Sequence, residues 1–68
     1  MQMISVSSSN ISSIGYANDT LYIRFNSGAL YAYYNVPYSI YVSLMNASSH
    51  GKFFAENIKN TYRYNRID

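Results

Sequence analysis

At 68 residues the chain has room for one domain, residues 1–68, and not for two. It contains no cysteine, which excludes a disulfide framework or a thiolate metal site as support for so small a core. Its formal charge of +2 is modest, but 18% of its residues are aromatic, nine of them tyrosines.

The opening segment, "MQMISVSSSNISSIGY", has apolar residues among serines with no helical period. It predicts a short strand at about residues 2–6, a polar turn through Ser7 to Asn10, and a second extended piece reaching Gly15 and Tyr16. Asn18-Asp19 marks a turn. Beyond it "TLYIRFN" alternates, with Leu21, Ile23 and Phe25 on one face and Tyr22, Arg24 and Asn26 on the other, as a half-buried strand does.

"NSG" and then "ALYAYYN" complete a hairpin. Its loop length decides which phenols are free. With Ser27 and Gly28 alone in the turn, Phe25 pairs with Leu30, and Tyr22, Arg24, Tyr31 and Tyr33 share the outer face. With Asn26, Ser27 and Gly28 all in the loop, Phe25 pairs with Ala29, and Tyr31 and Tyr33 turn into the core. One residue of slip exchanges the two faces. Gly28 suits the left-handed third position of a bulged loop, and a small core needs aromatic area, so the balance favours burial of Tyr31 and Tyr33.

Pro37 ends the sheet region and suits the first turn of a helix. Ile40 or Tyr41, Leu44 and Ala47 follow it at helical spacing. Ser49 is placed to cap a second helix starting at His50, with Phe54, Ile58 and Thr61 or Tyr62 as its apolar stripe. Lys52, Glu56, Lys59 and Arg63 lie along another face, with Lys52 and Glu56 spaced as an i,i+4 pair. The tail "RYNRID" shows no clear period. The expected fold is therefore α+β: a small, mainly antiparallel sheet of three or four strands, followed by two helices packed on one face.

Up to residue 49 the only charges are Asp19 and Arg24, which cancel. The excess lies after it, where Lys52, Lys59, Arg63 and Arg66 outnumber Glu56 and Asp68. Such a patch points to phosphate-bearing partners, although four cations also make an ordinary solvated face. Catalysis finds little support. His50 is the only histidine and reads as a solvated residue of a first helical turn, and the three acids are far apart in sequence. No phosphate loop, zinc-binding helix or nucleophile elbow is present, so no enzyme activity, cofactor or metal is expected. No basic start precedes an apolar stretch, and no apolar run approaches a membrane span, so a cytoplasmic protein without membrane contact is expected. Three N-x-[ST] triplets, at Asn10, Asn18 and Asn46, are read as chance matches in so Asn- and Ser-rich a chain.

Val6-x-Ser8-Ser9-x-Ile11, Ile14-Gly15-Tyr16, Leu21-x-Ile23-x-Phe25 and Gly28-x-x-Tyr31-x-Tyr33-x-x-Val36-Pro37 form a series of spaced residues. Leu44-x-x-Ala47-x-Ser49-x-Gly51-x-Phe53-Phe54 and Ile58-x-x-x-Tyr62 extend it over nearly the whole chain. The series resembles the KTSC domain, a short module found at the C-terminus of some lysyl-tRNA synthetases and as a stand-alone small protein of bacteria and their phages. Ala55 and His50 stand where that family commonly has Asn and Lys. The resemblance implies an RNA-binding role by association with the synthetases.

The residues agree with a non-catalytic binding module. With the two-residue turn, Tyr22, Tyr31 and Tyr33 together are read as base-stacking surfaces, with Arg24 beside them as a phosphate contact; with the three-residue loop, only Tyr22, Arg24 and Tyr34 remain outside. Lys52, Lys59, Arg63 and Arg66 are read as further phosphate contacts for RNA or a small nucleotide. The alternative is a protein-interaction or homodimeric module, built on the aromatic face that one subunit leaves uncovered and including a phage-borne inhibitor that occludes its partner.

Overall fold

The computed structural model describes residues 2–68. Its elements are β1 (Ile4–Ser5), β2 (Ile11–Ala17), β3 (Thr20–Phe25), β4 (Leu30–Tyr33), α1 (Tyr38–Asn46), α2 (His50–Asn57) and β5 (Tyr64–Arg66). The five strands pair in chain order, each antiparallel to the next. The α+β class is as expected, with one strand more than the sequence suggested. The extra strand is the tail, which returns to the free edge of β4: the Ile67 N–H donates to the Leu30 carbonyl at 2.8 Å, and the Tyr34 N–H donates to the Arg63 carbonyl at 2.9 Å. All three β5 residues are exposed, so no buried face imposed an alternating pattern on them.

Two turns set the sheet. Asn18 and Asp19 both adopt positive φ, 51° and 63°, between the paired residues Ala17 and Thr20. This is the two-residue hairpin whose backbone twist matches the strands, and Asn and Asp tolerate that conformation well. In the second hairpin the Gly28 N–H donates to the Phe25 carbonyl, and the Phe25 N–H to the Ala29 carbonyl, both at 2.9 Å. The loop thus holds Asn26, Ser27 and Gly28, with Gly28 at φ 97°. Open space surrounds its Cα, so Gly28→Ala costs backbone strain alone. That substitution is expected to lower the unfolding free energy by about 1 to 2 kcal/mol, read from a urea melt.

Register follows from this loop. Tyr31 pairs with Ile23 and Tyr33 with Leu21, which turns both phenols toward the helices. Ile11 and Ile14, three apart, both face the same side because β2 shifts register between Ile11 and Ser13. The bulge at Ser12 explains why this stretch lacked clean alternation.

The helices pack on one sheet face, where Leu44, Phe54 and Ile58 join Ile11, Ile14, Leu21, Ile23, Tyr33 and Val36 in one buried cluster. Pro37 is the N-cap of α1 rather than a residue of its first turn. Ser49 caps α2 as the sequence indicated, its hydroxyl accepting from the Lys52 N–H at 3.2 Å. The helix stops at Asn57, so Tyr62 packs against the cluster from the turn that follows and not from the helix stripe. His50 is half-buried, contrary to its reading as a solvated residue: its Nδ1 lies 2.9 Å from the Leu44 carbonyl in the last turn of α1, which also accepts from the Ala47 N–H at 3.3 Å. Lys52 and Glu56 form no ion pair; among the described residues the only one joins Arg24 and Asp68, at 3.4 Å.

Candidate binding groove

Two helices of nine and eight residues are too short to cover the whole sheet. Beyond the end of α2, the helix-facing side of β4 and β5 stays open as a groove of about 460 Å³. Its wall is aromatic, because β4 and β5 pair Tyr33 with Tyr64 and Tyr31 with Arg66, placing all four side chains on that side. The Tyr31 and Tyr33 rings lie 6.4 Å apart and 25° from parallel; Tyr64 lies 5.5 Å from Tyr33 at 31° and 5.8 Å from Tyr31 at 43°. Phe25 and Phe54 meet these rings edge-on, at 84° to Tyr31 and 80° to Tyr33. Phenylalanine edges therefore brace a panel of similarly inclined phenols.

Lys59 and Arg66 also line the groove, and no carboxylate does. The Arg66 Nε donates to the Asp68 main-chain oxygen at 3.2 Å, which anchors the guanidinium. Burial, followed by the neighbouring Tyr31 and Tyr64 phenols, pushes the Tyr33 hydroxyl up to about 12, so it stays neutral and able to donate. Tyr33 is 4% exposed and Tyr64 54%, so the panel runs from the core out to solvent.

The residues singled out from sequence divide between two faces. Tyr31, Tyr33, Lys59 and Arg66 converge here. Tyr22 and Arg24 lie on the opposite side of the sheet, so the four-residue face of Tyr22, Arg24, Tyr31 and Tyr33 does not form; the three-residue hairpin loop separates them. Arg24 is occupied as a clamp, its Nη1 donating to the Gly28 carbonyl at 2.8 Å and meeting Asp68. Lys52 borders a different hollow, at the α1–α2 junction with Ser49 and Glu56. Arg63 is exposed and does not line the groove. Sequence reasoning missed Tyr64, Asn10 and Asn60. The only signal for Tyr64 was its two-residue spacing from Arg66, too short a pattern to specify a strand.

A second aromatic group ties the first hairpin to α1. Tyr16 stacks on Tyr41 at 5.2 Å, and its hydroxyl donates to the Val36 carbonyl at 2.6 Å. Burial and the nearby Asp19 carboxylate raise its pKa. These phenols are structural.

An antiparallel five-strand meander, backed on one face by two short helices and leaving an aromatic groove beside them, defines a small α+β fold. The sequence profile of the KTSC domain matches residues 7–62, and the chain belongs to that family. The crystal structure of a KTSC domain protein from Yersinia pestis superposes with a TM-score of 0.94 at 39% identity, over 98% of this chain and 97% of that one. An uncharacterized protein of Stutzerimonas stutzeri is 39% identical over 71 residues, spanning both chains fully. A lysine–tRNA ligase from a Nostoc species is 38% identical over 48 residues, which are 71% of this chain and 9% of the ligase. No helix among the described residues is long and apolar enough to cross a membrane.

Proposed function

We propose that the protein is a non-catalytic, cytoplasmic module that binds single-stranded RNA through the groove between α2 and β5. One observation carries this reading: Tyr31, Tyr33 and Tyr64 converge with Lys59 and Arg66 around an open space that no carboxylate lines. Aromatic panels stack bases whatever their identity, at about 1 to 3 kcal/mol per base, and the two cations offer the phosphate its counter-charge. The likeness to a short part of a lysine–tRNA ligase supports the reading by association only.

Labelled single-stranded RNA, followed by fluorescence anisotropy, tests it. Binding is expected at low salt, with log affinity falling against log salt at a slope of about −1.4, that is, two contacts at about −0.7 each. Tyr64→Ala and Arg66→Ala alter exposed side chains and are each expected to weaken binding about tenfold, whereas Tyr22→Ala leaves it unchanged. An unchanged anisotropy at low salt overturns the proposal.

A second reading, self-association, has one observation in its favour. The sheet face away from the helices carries the half-buried Tyr22, Leu30 and Tyr34, with Ile67 49% exposed. Light scattering of the same samples decides it: a mass of 7.8 kDa excludes a stable dimer, and roughly twice that value supports one.

A further inference from the structure

We infer that the groove itself accommodates one nucleotide unit, a nucleobase with its phosphate monoester, free or at the end of an RNA, rather than successive nucleotides within a strand; this deepens the reading of the groove as a base- and phosphate-binding site and rests on that part of it. The cations decide the point. A cleft that follows a nucleic-acid strand needs positive side chains in succession to meet successive phosphates. Here only Lys59 and Arg66 reach the groove. Arg24 lies on the opposite face, engaged with Asp68 and the Gly28 carbonyl, and Lys52 sits at the helix junction beside Glu56. Arg63 is exposed and is not among the residues that line the groove.

Size and shape agree. A volume of about 460 Å³ lies at the small end of the range for sites of single small molecules, about 300 to 1,000 Å³. The three phenols, inclined to one another by 25° to 43°, offer one panel of limited extent, with Phe54 edge-on behind Tyr33. Ala55, small and exposed on α2, leaves the mouth open. The amides of Asn10 and Asn60 stand at the lining, where they supply donors and acceptors for the edge of a base. Asn10 is held in place: the Ser8 hydroxyl donates to its Oδ1 at 3.2 Å, and its side chain occupies the space that a Cβ on Gly51 would need.

A base with a terminal phosphate is presented both by a free nucleoside monophosphate and by a 5′-phosphorylated RNA end. The test uses AMP, a short single-stranded oligonucleotide with a 5′-phosphate, and the same oligonucleotide with a 5′-hydroxyl, each titrated while the tyrosine ring signals are followed by NMR. AMP is expected to shift the Tyr31 and Tyr64 rings and leave those of Tyr22 and Tyr38 in place. If the 5′-phosphorylated oligonucleotide shifts the same rings, an RNA end is a source of the ligand; if only AMP does, the ligand is the free nucleotide. Either result upholds the inference, and the second removes single-stranded RNA as the ligand. Shifts with both oligonucleotides but none with AMP overturn it and leave RNA binding standing, and silence from all three removes both.

Ala55→Trp puts a bulky side chain at the lining while every ring and charge of the site is kept. It is expected to weaken AMP binding by about tenfold or more, given what stacking and access contribute at such sites. Arg66→Gln, at an exposed position outside the core, is expected to cost about tenfold or more, as loss of one charged hydrogen bond does. Unchanged AMP affinity in both folded variants places the ligand elsewhere and overturns the inference.

Discussion

Phe54→Ala is expected to leave the domain largely unfolded at room temperature. Phe54 is 4% exposed and joins the two halves of the core, its ring meeting Phe25 at 5.5 Å and Tyr33 at 5.4 Å. Removing a buried phenylalanine side chain costs about 3 to 5 kcal/mol, the lost transfer energy plus the cavity left behind. A chain of 68 residues has a total stability of only about 3 to 10 kcal/mol at typical values per residue. No disulfide limits the unfolded ensemble, so one such cavity removes most of the margin. Far-UV circular dichroism through a urea titration measures the effect. Phe54→Leu, which keeps most of the volume, is expected to retain the transition at a lower midpoint. A wild-type midpoint for Phe54→Ala means that the aromatic cluster does not hold the helices to the sheet.

The second large effect is a loss of stability at alkaline pH. The Tyr33 hydroxyl is pushed up to about 12, chiefly by burial and then by the Tyr31 and Tyr64 phenols, from an ordinary value of 10.0. The folded state therefore keeps this proton after the unfolded chain has released it. Stability is level in this respect below about pH 10 and falls as the pH rises from there toward 12, by about 2 to 3 kcal/mol for a shift of this size. Tyr16, also raised, acts in the same direction. Urea midpoints measured across that range on the wild type and on Tyr33→Phe check the origin. The phenylalanine variant is expected to lose distinctly less stability over the interval, and an identical decline in both proteins rules Tyr33 out as the source.

Both effects involve Tyr33, whose burial the sequence favoured without fixing it. Alternation in "TLYIRF" made β3 and its core face legible without any tertiary information, since a period of two has one reading when Leu21, Ile23 and Phe25 are all apolar. Tyr31 and Tyr33 had no such contrast. Their neighbours Leu30, Ala32 and Tyr34 are apolar or amphipathic too, so either face of β4 was an acceptable core face. The hairpin loop resolved the choice, and with it separated Tyr31 and Tyr33 from Tyr22 and Arg24. Four of the eight residues singled out from sequence meet in the groove, and Tyr22 and Arg24 share a face with Tyr31 and Tyr33 only under the two-residue turn, which does not form.

Composition and local pattern were enough to establish one small α+β domain, the α2 cap at Ser49, the bulged loop suited to Gly28 and the membership suggested by the spaced residues, because each depends on chemistry within a few positions of the chain. The groove could be decided only by the tertiary structure. It exists because α1 and α2 end before they cover β4 and β5, and because an otherwise featureless tail pairs at the sheet edge, bringing Tyr64 and Arg66 beside Tyr31, Tyr33 and Lys59. Edge pairing is driven by backbone groups that every residue carries, so it leaves little trace in side-chain order.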